Sequence, residues 1–507
     1  MSEETPRWPL PQWWVWTTMS EVAEIVGGST PSTDVPENFA SSGIPWITPA
    51  DLSGYKAKLI SRGSRDISDK GLASSSTRLM PAGTVLFSSR APIGYVAIAA
   101  NPVTTNQGFK SFLLSQGVLA EYAYYWLIRA KSLLSEFASG TTFLEISGKR
   151  AQQIPIPIAP RGEQRRIIGA IESLLPKLDA AVAALERVRA NLKRCRASVL
   201  KAAVEGRLVP TEAELARKEG RDFEHASVLL DRILVERRRR WEETELTRMK
   251  AAGKPPKDDR WKSKYKEPVA PDTTALPQLP DGWCWATVDQ ISCDVRYGTS
   301  AKTREKSAGV PVLRMGNIVD GELEFMSLKY LPEDHSEFPE LLLDTGDLLF
   351  NRTNSADLVG KTAIFKDQGV PFSFASYLIR VRLLSGCLPD YVSSFLNSFH
   401  GRRWIGSVVS QVVGQANVNG SKLKNCLIPL PPISEQRRVM LEVDRMSSVI
   451  RSSAVTCDLA LVRLERLRQS ILKWAFEGKL VDQDPNDEPA SGLLEHIRAE
   501  RTSSAHP

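Results

Sequence analysis

The side chains best suited to catalysis are few and scattered in this sequence. Five histidines stand at isolated positions and the six cysteines form no CxxC pair, so neither residue type has the spacing of a zinc site. No GxxxxGK[ST] phosphate loop and no HExxH pair occurs. Glu145 and Lys149 bring an acid near a base, but such pairs arise often by chance. The sequence therefore predicts a binding or scaffolding chain with no catalytic site and no metal.

The most ordered pattern is a segment that occurs twice at a constant offset. EQRRIIGAIESLLPKLDAAVAALERVRANLKRCRASVLKAAVEGRLV begins at Glu163, and EQRRVMLEVDRMSSVIRSSAVTCDLALVRLERLRQSILKWAFEGKLV begins at Glu435. Apolar residues recur in each copy at alternating steps of three and four, which is typical of a helix with one apolar seam. Such a helix would be about 65 Å long, and its seam needs a partner. Each copy is the obvious partner of the other.

Pro176 lies inside the first copy and has no equivalent in the second. Proline removes a helical hydrogen bond, so we expect a kink or break at this position and an asymmetric helix pair.

Two segments of similar length precede the two helices. LPQWWVWTTMSEV from Leu10 and LPDGWCWATVDQI from Leu279 open them, and short apolar runs between glycine, proline and serine follow in the same order. The runs predict strands, and Leu119 to Phe137 predicts a helix. The fold class is therefore α+β, with two mixed α/β domains separated by a long antiparallel coiled coil of two helices. Antiparallel pairing would give the halves a pseudo-two-fold arrangement.

The predicted organisation has six parts. They are a first globular domain at 1–158, a first helix at 159–209, a basic helical insertion and linker at 210–275, a second globular domain at 276–430, a second helix at 431–481 and a polar, loose tail at 482–507.

Composition favours a cytoplasmic protein with reduced thiols. No apolar run approaches the length of a membrane span, and the N-terminus lacks the basic-then-apolar order of a signal peptide. The net charge of +7 is concentrated between residues 161 and 270, where 27 basic side chains face 18 acidic ones. A basic balance of this size hints at nucleic acid, but a solvated surface explains it equally well.

The order of these motifs resembles that of specificity subunits of type I restriction-modification systems. The resemblance rests on the paired LPxxWxW starts, GTVLFSSRAPIG at Gly83, GDLLFNRTNSADLVGK at Gly346, PLPPISEQRR at Pro429, and the LKxAxEGxLV endings at Leu200 and Leu472. These motifs cover nearly the whole chain.

The resemblance implies a non-catalytic DNA-binding chain. Each globular segment would be a target-recognition domain that reads one half of a bipartite, asymmetric site in double-stranded DNA, and the helices would set the spacing between the half-sites. Two modification (adenine methyltransferase) subunits would dock on the helices, and restriction (translocase and nuclease) subunits would bind further out. S-adenosylmethionine, ATP and Mg²⁺ would belong to those partners, with no cofactor in this chain.

Arginine pairs well with guanine and asparagine or glutamine with adenine, which makes polar loop residues the candidate base readers. The NRTN turn after Phe350 is also explained by the turn preference of asparagine and threonine. The predicted DNA-binding residues are Ser88, Ser89, Arg90, Asn106, Gln107, Lys110, Thr141 and Thr142 in the first domain, and Arg314, Asn317, Asn351, Arg352, Asn354, Gln411, Gln415 and Asn417 in the second.

Two other functions stay open at this point. The chain could be a coiled-coil scaffold that binds proteins without reading bases, or a self-sufficient nuclease or methyltransferase. Arg165, Arg166, Arg437 and Arg438 at the helix starts could contact the partner subunits or DNA phosphates, or could be a solvated face.

Overall fold

The computed structural model describes residues 8–90, 92–136, 145–305, 308–412 and 415–504. The chain divides into two compact units. Unit 1 comprises residues 1–186 and 458–507, and unit 2 comprises residues 187–457. Each unit therefore contains one globular segment together with part of each long helix.

The sheets of unit 1 are built from eleven strands among its described residues. They are β1 (Val15–Thr18), β2 (Ala23–Gly27), β3 (Phe39–Ala40), β4 (Ile44–Ile47), β5 (Leu59–Ile60), β6 (Arg65–Ile67), β7 (Val85–Phe87), β8 (Val96–Ala99), β9 (Thr104–Thr105), β10 (Lys110–Leu114) and β11 (Pro155–Ile158). Their order is β2-β10-β7-β8-β5 in one sheet, β3-β6-β4-β9 in a second, and β1-β11 in a two-stranded pair.

Short helices complete this globular segment. They are α1 (Met19–Val22), α2 (Asp69–Ala73), α3 (Ala120–Arg129), α4 (Lys131–Glu136) and α5 (Gly148–Gln152). The five-stranded sheet has a core on each face, because side chains alternate along a strand. Val85 and Phe87 of β7 lie in a core with α3, whereas Leu86 lies in a second core with Ile47 and Phe109.

Unit 2 repeats this plan with more and shorter sheets. Its strands are β12 (Cys284–Thr287), β13 (Ser292–Tyr297), β14 (Val310–Leu313), β15 (Ile318–Val319), β16 (Glu322–Leu323), β17 (Lys329–Leu331), β18 (Leu348–Asn351), β19 (Thr353–Asn354), β20 (Thr362–Ile364), β21 (Ser373–Phe374), β22 (Leu378–Leu383), β23 (Ser410–Val412), β24 (Gln415–Asn417) and β25 (Leu427–Leu430). The main sheet has the order β13-β22-β18-β20, and smaller sheets are β17-β14-β21, β19-β24-β23, β15-β16 and β12-β25.

The two repeated segments are helices of 44 residues each. They are α6 (Arg161–Val204) and α13 (Ile433–Phe476). In unit 1, Leu175 and Leu178 of α6 share a core with Leu464 and Ile471 of α13. In unit 2 the late part of α6 shares a core with the early part of α13, for example Ala203 with Val439. The helices are therefore antiparallel within each unit, as predicted.

The predicted break at Pro176 is wrong, because α6 continues through this residue. Pro176 is exposed. Water can therefore satisfy the carbonyl group one turn earlier that loses its helical partner. A bend without a break stays a prediction.

The remaining helices are α7 (Glu212–Glu219), α8 (Ala226–Ala251), α9 (Val288–Ile291), α10 (Pro389–Asn397), α11 (Phe399–Val408) and α12 (Gly420–Lys424) in unit 2, and α14 (Ala490–Ser504) in unit 1. The prediction of a loose polar tail at 482–507 is wrong for α14. Its residues Ala490, Leu493, Leu494 and Ile497 are buried in the main core of unit 1. The other predicted domain bounds stay predictions.

α14 and α8 occupy matching places in their units. A Cβ atom at Gly117 would lie 2.5 Å from Leu493 Cδ1 of α14, and a Cβ atom at Gly386 would lie 2.9 Å from Leu229 Cδ1 of α8. A glycine is therefore needed in each unit for the close approach of the helix. The matching sequences ASVLL from residue 226 and ASGLL from residue 490 explain why the two helices pack alike.

The EQRR motif near the start of each long helix anchors that end of the helix to the globular part of the same unit. Glu163 and Glu435 are buried and accept hydrogen bonds from the indole N–H groups of Trp14 (2.8 Å) and Trp283 (3.0 Å). Burial raises the pKa of both carboxyl groups, and the indole hydrogen bonds only partly offset it. The repeated Glu and Trp are thus a structural joint.

The second arginine of each EQRR motif forms an ion pair inside its unit. Arg166 lies 2.7 Å from Asp487, and Arg438 lies 2.6 Å from Glu212. Burial raises the pKa of Glu212, but the hydrogen bonds from Arg438 and Arg221 outweigh burial and lower it. Arg166 and Arg438 are therefore held by their own units.

Candidate nucleic-acid interface

A cleft of about 720 Å³ in unit 2 brings together three of the predicted residues. Arg314 follows β14, Asn351 ends β18 and Asn354 ends β19, and all three line the cleft. Arg314 is far from the two asparagines in the sequence but meets them in this cleft. The cleft is large enough for a ligand group and open enough to receive a protruding one.

The three predicted side chains in this cleft differ in their exposure and in the hydrogen bonds that they already make. Asn351 is 1% exposed and donates to the Leu358 carbonyl group at 3.3 Å. The Arg314 guanidinium group donates to the Ser327 carbonyl group at 2.5 Å. Asn354 is only half-buried, and its Oδ1 atom accepts from the Ser355 N–H group at 2.8 Å. Its Nδ2 group has no hydrogen-bond partner among the described residues, which makes Asn354 the best-placed reader of the three.

Asn317 has a structural role that competes with base reading. Its Nδ2 group donates to the Glu324 carbonyl group at 2.7 Å and to the Met326 carbonyl group at 3.0 Å, and its Oδ1 atom accepts from the Arg314 N–H group at 2.9 Å. The side chain is 5% exposed. These bonds hold the β15-β16 hairpin against the segment that follows it.

Four further predicted residues lie on or beside the small β19-β24-β23 sheet. Asn417 donates to Thr353 Oγ1 at 2.6 Å, and Gln415 is exposed at the first position of β24. Gln411 pairs through its backbone with Ala416, and nothing is described of its side chain. Arg352 lies over the Tyr297 ring, 4.6 Å from the centroid. Gln415 is the most accessible of those side chains in this group whose burial is described.

The predicted serines of unit 1 hold a turn. The Ser88 hydroxyl group donates to the Pro92 carbonyl group at 2.7 Å and accepts from the Tyr95 N–H group at 2.8 Å. The Ser89 hydroxyl group donates to the Gly108 carbonyl group at 3.2 Å. Both side chains are fully buried. Their polar groups are satisfied internally, so they are poorly placed to contact DNA.

Two predicted cations of unit 1 flank one carboxylate. Arg90 and Lys110 each lie 3.8 Å from Glu145, which forms an ion pair with each of them. The Arg90 side chain is 40% exposed and the Lys110 side chain 15% exposed. Two positive charges around one negative charge give the surface formed by Arg90, Lys110 and Glu145 a net positive charge, which is suited to a phosphate group.

The other predicted residues of unit 1 lie beside that turn or outside the described residues. Asn106 Oδ1 accepts from the Gly108 N–H group at 2.9 Å, which shapes the turn. Gln107 is exposed and its side chain contacts Thr30. Thr141 and Thr142 lie outside the described residues.

Sequence reasoning missed three residues of the unit 2 cleft. Tyr377 is 49% exposed and Met315 38% exposed, and Lys361 lines the same cleft. No spacing rule marks them, because they follow unrelated strands. An exposed aromatic ring, a thioether and an ammonium group around one opening are suited to contacts with bases and phosphates.

The long helix α13 is apolar on two faces. Its inward face carries buried residues, whereas an outward arc of about 140° carries exposed apolar ones. These are Leu441, Val449 and Val455 in unit 2, and Leu459, Val462, Leu467 and Trp474 in unit 1. Exposed apolar surface of this extent on a helix marks an interaction site. In α6, Val188 is the one large apolar residue exposed to this degree.

A sequence profile for the type I restriction modification DNA specificity domain matches residues 11–187 and 292–455. The chain belongs to this family. It is a type I specificity subunit and not an enzyme, and its mixed α/β fold with two sheet-containing units is that of the family.

Similar proteins carry the same description. The chain is 26% identical over 520 residues to the type I restriction enzyme EcoKI specificity subunit of Escherichia coli K12, with 98% of this chain and 97% of that one covered. It is 44% identical over 168 residues to the MjaIX specificity subunit of Methanocaldococcus jannaschii, a match that spans 32% of this chain and 38% of that relative.

Solved structures support the same fold. A chain from a structure described as the basis of complex assembly and conformational transition of the type I R-M system aligns with a TM-score of 0.64 at 16% identity, covering 93% of this chain and all of that one. The HsdS subunit from Thermoanaerobacter tengcongensis aligns with a TM-score of 0.53 at 16% identity, and the alignment covers 93% of this chain and 98% of that one.

The described residues contain neither a membrane-spanning helix nor a cluster of metal-ligating side chains. No described helix combines the length and the apolar character needed to cross a membrane. Within the same residues, no group of three or more histidine, cysteine, aspartate or glutamate side chains could hold a metal ion.

Proposed function

We propose that this specificity subunit binds double-stranded DNA and reads a bipartite, asymmetric site, with one half-site for each unit. The observation that carries the proposal is the duplication itself. Each unit has its own sheets and its own polar candidate surface, and the residues of the two surfaces differ. Unlike surfaces on related frames would select unlike half-sites.

The spacing between the half-sites depends on α6 and α13 in this proposal. Each is a single 44-residue helix that contributes to both units. A continuous helix has a fixed rise per residue, and duplex DNA has a fixed rise per base pair. The number of helical residues would therefore limit the number of spacer base pairs.

Methylation and cleavage belong to partner subunits in this proposal. The outward apolar arc of α13 is the surface that supports docking of modification subunits, because two apolar faces on one helix leave one for a partner. Restriction subunits would join that complex. S-adenosylmethionine, ATP and Mg²⁺ would act in those partners.

Mapping methylated adenines in the host genome, with this locus intact and deleted, tests the proposal. A split motif that disappears on deletion is the expected result. Exchanging residues 10–157 for the first domain of another family member should change one half of the motif, and exchanging residues 279–429 should change the other half.

Two outcomes would contradict the proposal. A change in both half-sites after one exchange would exclude separate reading by the two units. A reconstituted complex that binds all DNA sequences equally would instead favour a scaffold without base readout.

A further inference from the structure

Residues 241–267 of unit 2 form an extra segment, here called the lysine segment. It comprises the second half of α8 and the chain that returns along it. The resemblance between α8 and α14 covers Ala226 to Arg240 and Ala490 to Ser504, so the lysine segment has no counterpart among the described residues of unit 1. It is not needed to complete the repeated fold.

Aromatic packing fixes the lysine segment in place. The Trp241 ring stacks on Trp261 with centroids 5.9 Å apart, and it lies 5.2 Å from the Tyr265 ring. The Arg237 guanidinium group donates to the Tyr265 hydroxyl group at 2.8 Å and to Asp289 Oδ1 at 3.2 Å. The returning chain is thus fastened to α8, and α8 is fastened to the globular part of unit 2.

The carboxylates of the lysine segment are all engaged in ion pairs. The six acids pair with neighbouring arginines or with Lys262, and they are Glu242, Glu243, Glu245, Asp258, Asp259 and Glu267. Paired charges of this kind are largely neutralised at the surface.

Five lysines remain outside these pairs. All five are exposed, and none forms an ion pair with a described residue. They are Lys250, Lys254, Lys257, Lys264 and Lys266. The fold therefore segregates charge, because internal pairs neutralise its acids while the lysine ammonium groups point to solvent. The result is an exposed positive surface that the net charge of the segment understates.

The chemistry of this surface fits a polyanion better than a protein. The core of a protein interface is apolar and poor in lysine. No large apolar side chain of residues 241–267 is among the exposed ones. Exposed ammonium groups suit phosphate groups, which they bind as point charges without regard to base sequence.

We propose that the lysine segment binds backbone phosphates of the DNA duplex and adds affinity without adding sequence discrimination. The proposal rests on DNA binding by this subunit. It assigns base reading to the globular surfaces and non-specific electrostatic attraction to the insertion.

The test uses the full chain assembled with its modification subunits. The probes are a duplex carrying the mapped motif and a duplex of the same length and composition with the motif scrambled. Dissociation constants are measured for both from about 50 to about 200 mM salt, and the slope of log affinity against log salt is compared between variants. The variant K250Q/K254Q/K257Q/K264Q/K266Q removes the charge, and replacement of the same five lysines by arginine is the matched control.

Each phosphate contact contributes about 0.9 to the slope. The glutamine variant should therefore reduce the magnitude of this negative slope by between about 1 and about 4.5. It should weaken binding to both duplexes by the same factor. The arginine variant should retain the wild-type slope. Exposed lysines contribute little to packing, so both variants should unfold at the wild-type temperature.

Three results would overturn the inference. An unchanged slope in the glutamine variant would exclude phosphate contact. A loss confined to the motif duplex would show base reading, and weakened assembly with the modification subunits at unchanged DNA affinity would show a protein contact. Failure of the wild-type complex to prefer the motif would contradict the proposed function instead, and it would leave the slope comparison interpretable.

Discussion

The two tryptophan–glutamate joints should differ in strength, although their sequences are alike. Glu435 accepts a second hydrogen bond from the Glu212 N–H group at 2.8 Å. The corresponding Glu163 Oε1 atom is buried and has no hydrogen-bond partner among the described residues. Loss of the indole donor should therefore leave Glu163 without any donor, whereas Glu435 would keep one.

The expected magnitudes follow from this difference. Trp283→Phe removes one hydrogen bond to a charged group, which costs about 1.5–3 kcal/mol. Trp14→Phe leaves the buried Glu163 carboxylate without a hydrogen-bond donor, which costs more than about 3 kcal/mol because the acceptor is charged. The change in ring size is common to both variants, and the two tryptophans are similarly buried, at 5% and 9% exposure, so the packing loss nearly cancels in the comparison.

The pH dependence of the Trp14→Phe variant has a definite sign. Burial raises the pKa of Glu163 in the folded state above its value in the unfolded chain. Between the unfolded-state and folded-state pKa values, the folded state binds a proton that the unfolded state releases. The free energy of unfolding therefore falls as the pH rises through the interval between these two pKa values. The cost of Trp14→Phe should therefore be smaller at about pH 5 than at about pH 8.

Urea-dependent hydrogen exchange followed by mass spectrometry separates the two units. Peptides from α3 report on unit 1 and peptides from α10 report on unit 2, which avoids assuming a two-state transition for the whole chain. In an E163Q background the Trp14→Phe change should cost only about 1 kcal/mol beyond packing, because the partner is then neutral. Equal losses of unfolding free energy in the Trp14→Phe and Trp283→Phe variants would refute the reasoning. A loss in the Trp14→Phe variant that does not change with pH would also refute it.

Three further predictions address the helices and the cleft. L441S/V449S should abolish co-purification with the modification subunit while leaving the urea midpoint of the free chain unchanged; retained binding would exclude the outward arc of α13 as the docking surface. Leu494→Ala should destabilise unit 1 by about 2–5 kcal/mol, because it leaves a cavity where α14 packs; a loss below about 0.5 kcal/mol, measured by the same exchange experiment, would show that α14 is not part of the core. Asn317→Ala should destabilise unit 2 by about 1–3 kcal/mol, since two carbonyl groups lose their donor; altered base preference at unchanged stability would make Asn317 a reader instead.

The long helices could be predicted from the sequence because their pattern is local. Apolar steps of three and four residues specify one helix face, and the constant offset of the repeat pairs the two copies. Short strands such as Ile44–Ile47 and Val85–Phe87 follow the same local logic, because they coincide with short apolar runs between turn residues. Resemblance of the motifs to the type I specificity subunits gave the family, which the profile match confirms.

The fate of individual polar side chains could not be predicted in this way. Ser88 and Asn317 look like exposed loop residues in the sequence, yet both are buried, and their side chains are hydrogen-bonded within a turn and a hairpin. Whether a hydroxyl or amide group faces solvent or a backbone carbonyl group depends on which loop folds over it. The predicted DNA-binding residues therefore stay predictions, and the structure narrows them to those that remain accessible, such as Asn354 and Gln415.

The sequence by itself determined the repeat, the helix pair and the family, because these depend on periodicity and order, which are properties of the chain. Only the tertiary structure decided that the tail at α14 packs into a core, that Glu145 pairs with two cations, and that five lysines of the insertion stay unpaired while its acids do not. Those outcomes depend on which surfaces meet in space, and contacts between residues far apart in the chain leave no mark in local spacing.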